Sequence, residues 1–438
     1  MAIQNPVIVV PGITASELRD EYPLQPDIVW SAVVQKQYER IMLHPDDLRY
    51  ERTEPARLAP NAIFSLPYEE LVLELRHNLT SSEDAPVPVY PFAYDWRQPL
   101  ERTEAQLAAF IHEVVDRTKL MRHYDRAGYS EDPRVDLVGH SMGGLIIAGC
   151  LQAQRKKVPV GKVATIATPY RGSYEAPIQI LTGTASLGTT ESRSREREAA
   201  RLTPALYHLL PRFENAVTDT NGIEVDMYQA DAWQQGVFET LAEFIRLHGV
   251  DPPRKKSDRL KTARTLLQGI LEQALTHRKR IDEFKLSDAG MDADRWLCLI
   301  GLGSETRVRL TLSRTRSAPR YVLSSEDRVN TWDEDRESID TGDGTVPYLG
   351  AKPTFLGVEN LVCVCPKDLG YWEWGDRAML PVVGLHGLLP KINLVHRLIV
   401  AHLKGEKASG NDSLWGRAAP DLGRKNWNPP LSGLKCWS

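Results

Sequence analysis

Short runs of aliphatic and β-branched residues alternate with helix-period patterns through the first 170 residues. Such alternation predicts a parallel sheet covered by helices on both faces. Val7–Val10 and Val87–Tyr94 read as buried strands. Leu107, Phe110, Ile111 and Val114 then recur at helical spacing. Val135–Val138 is the next strand, Gly144–Gln154 an apolar helix, and Lys162–Ala167 a further strand. The expected fold class is therefore doubly wound α/β.

Beyond this region the pattern changes. Thr182–Thr190 (TGTASLGTT) and the charge run Ser192–Glu198 (SRSRERE) predict a solvated, mobile loop. From Arg201 to Asp294 the periodicity is mainly helical. Leu260, Ala263, Leu267, Ile270 and Ala274 make one apolar stripe of a long helix, read as core packing. The basic clusters Lys255-Lys256 and Arg278-Lys279-Arg280 read as solvated surface. Strand patterns return at Trp296–Leu302, Val308–Leu312, Arg320–Leu323 and Leu361–Cys365. Ile392, Val395, Ile399 and His402 mark a closing helix. The expected organisation is a core of residues 1–175 and 294–405, a helical cap or lid at 176–293, and a C-terminal tail at 406–438.

Composition narrows the function. The 438 residues carry 54 Lys+Arg against 58 Asp+Glu, a net charge of −4, which excludes a binder of nucleic acid resting on a basic surface. The apolar start is stopped by Pro11-Gly12, too short for a signal-peptide core, and no window offers eighteen uninterrupted apolar residues. Five cysteines (Cys150, Cys298, Cys363, Cys365, Cys436) are an odd number without metal-ligand spacing. A cytoplasmic chain with reduced thiols, no metal and no organic cofactor is expected.

One motif carries chemistry. Val135–Val138 runs into Gly139-His140-Ser141-Met142-Gly143, a G-x-S-x-G sequence followed at once by a helix. Strand, tight turn and helix in that order define a nucleophile elbow, which exposes Ser141 at the carboxyl edge of the sheet. The Met142 N–H would face a developing oxyanion, and the Ile13 N–H, in the loop after the first strand, would supply a second donor. A serine needs a base, and the base an orienting acid, in the chain order Ser, acid, His. Gly342-Asp343-Gly344 places Asp343 on a tight turn, with Asp340 three residues away as the alternative. His386 lies in a loop after the last strand and before the closing helix; His396, inside that helix, is the second candidate.

Several segments together resemble the lecithin:cholesterol acyltransferase-like α/β hydrolases, a family of phospholipases and lipid acyltransferases. They are PVIVVPGITASEL (Pro6–Leu18), FAYDWR (Phe92–Arg97), GHSMGG (Gly139–Gly144), ATPYRGS (Ala167–Ser173), TPALYHLLP (Thr203–Pro211), GDGTVP (Gly342–Pro347) and H-G-x-L-P (His386–Pro390). The resemblance implies an α/β-hydrolase fold with Ser141 as nucleophile, Asp343 as acid, His386 as base, and Ile13 and Met142 at the oxyanion. It implies a lipid or acyl-ester substrate, transient contact with a membrane surface, and a cap with a mobile lid. Asp95, Trp96 and Arg97 match a family segment read as scaffold. The chain departs from secreted members in having no cysteine between Tyr22 and Pro60, and residues 218–295 match nothing in the family. The reading is a serine esterase of lipase or phospholipase type. An acyltransferase, an amidase using the same triad and a non-catalytic lipid- or protein-binding module are its rivals.

Overall fold

Val7-Ile8-Val9-Val10 offers no polar face to solvent, and all four side chains are buried. That is the signature of a strand covered on both faces. The computed structural model describes residues 3–22, 25–31, 37–43, 57–183, 190–249, 251–314, 319–333, 336–370, 373–405, 414–422 and 424–437. Its central sheet comprises β1 (Val7–Val10), β2 (Val89–Pro91), β3 (Val135–His140), β4 (Val160–Ile166), β5 (Trp296–Gly301) and β6 (Leu361–Val364). Every neighbouring pair is parallel, in the order β6-β5-β4-β3-β1-β2. The chain goes from β1 out to β2 and returns on the other side of β1 as β3. This reversal opens a crevice at the carboxyl ends of β1 and β3.

The principal helices are α1 (Ser65–Leu79), α2 (Leu100–Lys119), α3 (Met142–Gln154), α4 (Glu175–Thr182), α5 (Thr190–Arg201), α6 (Gln235–His248), α7 (Lys256–Asp282), α8 (Trp374–Leu388) and α9 (Asn393–Lys404). Alternate residues of β1 feed two separate cores. Val7 and Val9 pack with Tyr68, Leu71 and Leu75 of α1 and Leu398 and Ile399 of α9. Ile8 and Val10 join Leu107 and Ile111 of α2 and Leu145 and Ile146 of α3. Each such aliphatic side chain contributes about 1.5–3 kcal/mol on burial. This is an α/β-hydrolase fold. Among the described residues, no helix is long and apolar enough to cross a membrane.

α3 is buried from Met142 through Leu151 because α7 packs on the face that the sheet leaves free. Ala263, Leu267, Leu271 and Ala274 form the buried stripe of α7; Leu260 and Ile270 are only half-buried, and Leu271 points inward instead. The basic cluster at its end is not solvated surface as a whole. Arg278 is fully buried and donates to the Tyr170 carbonyl, and Arg280 pairs with Glu104 of α2. His277 also meets Glu104, at 2.6 Å, and its ring packs edge-on to that of His208 at 4.7 Å. Burial pushes the Glu104 carboxyl up to about 7 and holds His277 well below its usual range.

Other expectations need correction. The charge run 192–198 lies on α5 instead of in a loop, since its i,i+3 pair Arg195–Glu198 suits a helix. The Gly/Ser/Thr segment at 184–189 lies outside the described residues. Of Val87–Tyr94 only Val89–Pro91 pairs as a strand. The strand patterns at 308–312 and 320–323 do not join the central sheet. Leu310–Arg314 pairs antiparallel with Pro319–Val322 and parallel with Val217–Asp219. At the other edge, Leu414–Gly416 pairs with Leu434–Cys436, and Arg417 bridges to Cys363 of β6.

Asp136 is wholly buried in β3, where its carboxylate accepts from the Lys162 N–H (2.7 Å) and Asn5 Nδ2 (2.9 Å). Burial outweighs these donors and raises its pKa from 3.8 to about 6. A raised carboxyl pKa in the folded state adds stability below the unfolded pKa, and that stability is lost as pH rises through the folded one. Asp136→Asn should therefore gain melting temperature relative to wild type between pH 4 and 6 and hold the gain above it. The expected gain corresponds to about 2–3 kcal/mol, measured by thermal melts across pH.

Candidate active site

β3 ends at His140 and α3 begins at Met142, leaving one residue to turn the chain. That residue, Ser141, stands at φ 54° and ψ −127°, a conformation costly for any side chain. Its N–H donates to the Ile166 carbonyl of β4 at 2.8 Å, and its carbonyl accepts from the Gly144 N–H at 3.1 Å. A β-carbon at position 143 would collide with the Val10 carbonyl, so only glycine lets α3 approach β1 this closely.

Ser141 Oγ lies 2.9 Å from His386 Nε2, and His386 Nδ1 lies 2.7 Å from Asp343 Oδ2. A carboxylate can only accept, so the imidazole proton sits on Nδ1 and Nε2 accepts from the serine hydroxyl. The other carboxylate oxygen of Asp343 accepts from the Thr345 N–H at 2.9 Å and the Val346 N–H at 2.7 Å. Asp343 is buried, and its Cβ packs where a side chain on Gly301, at the end of β5, would begin. The alternatives lie elsewhere. Asp340 is half-buried and faces Arg309 at 3.7 Å; His396 is buried in α9 and donates to the Pro390 carbonyl at 2.6 Å.

The segment carrying His386 is not a loop. It belongs to α8, which breaks at Gly384 (φ 76°, ψ 163°), and His386 stands on the helical turn that follows. Only glycine takes that left-handed conformation without strain, and it re-aims the helix so that the imidazole reaches Ser141.

Ile13 follows Gly12 in the turn after β1, and Met142 is the first residue of α3. Among the described residues, neither N–H donates to a protein acceptor. Both are therefore free to serve a ligand oxygen. A cavity of about 370 Å³ opens over Ser141, and its lining includes Ile13, Phe64, Leu206, Leu209, Val346, Met379 and Val383, with Glu175, Gln179 and Lys391 as its charged and amide groups. Burial raises the Glu175 carboxyl above its usual range, against the pull of Arg328.

Two further residues stand beside this relay that the motifs did not single out. Tyr68 of α1 places its hydroxyl 2.8 Å from His140 Nδ1, and His140 Nε2 lies 3.0 Å from the His386 carbonyl. His140 is visible within the elbow motif, yet nothing local assigns it a partner; Tyr68 is 72 residues away from it. The FAYDWR segment lies underneath. Arg97, fully buried, grips both oxygens of Asp95 at 2.8 Å and donates to the Ile41 carbonyl at 3.1 Å. Burial works against the Asp95 charge, but the Arg97 guanidinium outweighs it and holds that carboxyl below its usual range. Tyr94 donates to the Pro11 carbonyl at 2.9 Å, fixing the loop that carries Ile13.

The model of the lecithin:cholesterol acyltransferase family matches residues 84–244, which include the elbow and, contrary to the expectation for 218–295, residues 218–244. Over that stretch the chain resembles the lecithin:cholesterol acyltransferase family, on an α/β-hydrolase fold. At the level of class, it is an enzyme of the esterase and acyltransferase kind. A chain in the crystal structure of the Tle4–Tli4 complex is similar over 80% of this chain and 89% of its own length, with a TM-score of 0.51 and 14% identity. That likeness concerns the fold. The mature lipase BlEst2 of Bacillus licheniformis is matched at a TM-score of 0.26 and 15% identity, over 48% of this chain and 56% of that one. No curated protein matches the chain in sequence.

Gly12 packs directly on the elbow: a β-carbon there would lie 3.0 Å from Ser141 Cβ and 3.5 Å from its Oγ. Gly12→Ala should leave the melting temperature within a few degrees of wild type while slowing fluorophosphonate labelling of Ser141 by about tenfold or more. Thermal melts and labelling time courses on the same preparation measure both.

Proposed function

We propose that this enzyme hydrolyses carboxylic esters of lipids through an acyl-enzyme on Ser141. The observation that carries the reading is the unbroken Ser141–His386–Asp343 hydrogen-bond relay beneath an apolar cavity. Ser141 Oγ attacks the ester carbonyl while His386 Nε2 takes the hydroxyl proton. The imidazolium formed is stabilised by the Asp343 carboxylate, whose second oxygen is already held by two backbone N–H groups. The negative charge reaching the former carbonyl oxygen is met by the Ile13 and Met142 N–H groups. Collapse of the tetrahedral intermediate breaks the bond to the alcohol, which leaves with the proton from His386. Water then repeats the sequence and releases the carboxylic acid.

An alcohol in place of that water would make the same acyl-enzyme an O-acyltransferase, as the family's name records for its type member. The apolar cavity walls suit an acyl chain. Leu66 and Val383 line the cavity and are also 53% and 39% exposed, an apolar rim fit to meet a lipid surface during substrate entry.

Ser141→Ala should abolish fluorophosphonate labelling and lower kcat on p-nitrophenyl esters by about 10⁴-fold or more, with the fold intact. Asp343→Asn, which keeps the geometry but not the charge, should cost about 10⁴-fold in kcat. Wild-type protein that neither labels nor turns over esters, with detergent or lipid present, would refute the reading.

A further inference from the structure

The reaction needs an oxyanion donor and a base at a set spacing, yet these sit on separate segments. The first follows β1, and the second lies on α8, beyond β6. Between them runs a chain of hydrogen bonds whose donors and acceptors can be assigned without ambiguity. The Gly12 N–H donates to Tyr68 Oη at 2.9 Å, so the Tyr68 proton must go to its other partner, His140 Nδ1, at 2.8 Å. With Nδ1 accepting, the His140 proton sits on Nε2 and is given to the His386 carbonyl at 3.0 Å. The His386 N–H in turn donates to the Asp343 carbonyl at 3.0 Å. Both sides of the His386 peptide are thereby fixed, and Tyr68 and His140 are themselves buried.

We infer that Tyr68 and His140 form a positioning relay, tying the Gly12–Ile13 oxyanion loop to the backbone of His386 so that donor and base keep one spacing. The inference rests on the ester-hydrolase reading given above. His140 does not serve as a spare base: one ring nitrogen faces a hydroxyl that donates to it and the other a carbonyl. Burial and the nearby His386 hold its pKa well below the usual histidine range, so the neutral tautomer persists. Its ring also packs against that of His386 at a centroid distance of 5.0 Å, and against Tyr68 at 5.7 Å. Removing one hydroxyl leaves that packing in place but frees the Gly12 peptide, and a loop free to drift by part of an ångström loses much of its catalytic advantage.

Tyr68→Phe, His140→Leu and His140→Gln would be compared with wild type on p-nitrophenyl butyrate, with active sites counted by fluorophosphonate titration so that misfolded protein drops out. Tyr68→Phe should lower kcat per active site by about 10- to 100-fold with KM changed less than about threefold. His140→Leu should lose at least as much, whereas His140→Gln, whose amide N–H can replace Nε2–H toward the His386 carbonyl, should recover about tenfold of it. A merely structural role would not produce that ordering at constant active-site count. Wild-type kcat per active site in Tyr68→Phe and His140→Leu would overturn the relay while leaving the hydrolase reading intact. Failure of wild type to label at all would overturn the hydrolase reading, and the relay with it.

Discussion

The structure depends on one strained peptide. Ser141 occupies a backbone region that costs about 1–3 kcal/mol. The strain persists because both flanking elements are locked: β3 is buried along its whole length between β1 and β4, and α3 is buried on the sheet side and under α7. The two cores fed by alternate residues of β1 supply that stability many times over. Relaxing the turn would require α3 to lift off β1, where Gly143 meets the Val10 carbonyl with no space to spare. The position of the serine oxygen is thus a property of the whole sheet.

The helical segment between β4 and β5 braces this arrangement from behind. α7 supplies Ala263, Leu267, Leu271 and Ala274 to the core over α3, and its last turns bring buried polar groups with them. Arg278 reaches the Pro169 and Tyr170 carbonyls in the segment after β4, and Pro169 lines the cavity. Glu104, His277 and Arg280 join α2 to the end of α7 in one hydrogen-bonded group. Burying a guanidinium or imidazole without these partners would be costly, so the contacts constrain where α7 can sit. α7 therefore packs behind α3 and also holds the Pro169–Tyr170 segment beside the cavity.

Legibility in the sequence followed the range of the interactions involved. β1, β3, β4 and α3 could be read because their runs are uniformly apolar and bounded by Gly, Pro or a motif. The strands at 310–314 and 319–322 were legible as strands, but not their sheet, since pairing with Val217–Asp219 spans some ninety residues of chain and leaves no local mark. The basic cluster at 278–280 read as surface because composition does not reveal that Tyr170 and Glu104 wait for it inside the fold. The glycines around His386 predict a loop. Gly384 does break the chain direction there, but inside a helix.

The candidate site divides in the same way. Ser141 is declared by a motif whose physics is local: a strand, a turn that tolerates little but glycine around it, and a helix. Asp343 and His386 were narrowed by chain order and by turn chemistry, with Asp340 and His396 open beside them. Only the folded chain separates each pair, by setting Asp343 Oδ2 2.7 Å from His386 and turning His396 toward Pro390. Tyr68, and the hydrogen bonds that define the tautomer of His140, belong to tertiary structure alone. The sequence by itself determined the elements and the strained turn at Ser141, because strand, helix and elbow preferences act between neighbours along the chain. The pairing of His386 with Ser141 and Asp343, and the network around it, were decided when segments up to 246 residues apart met at one edge of the sheet, where hydrogen-bond direction, invisible in sequence, selects the partner.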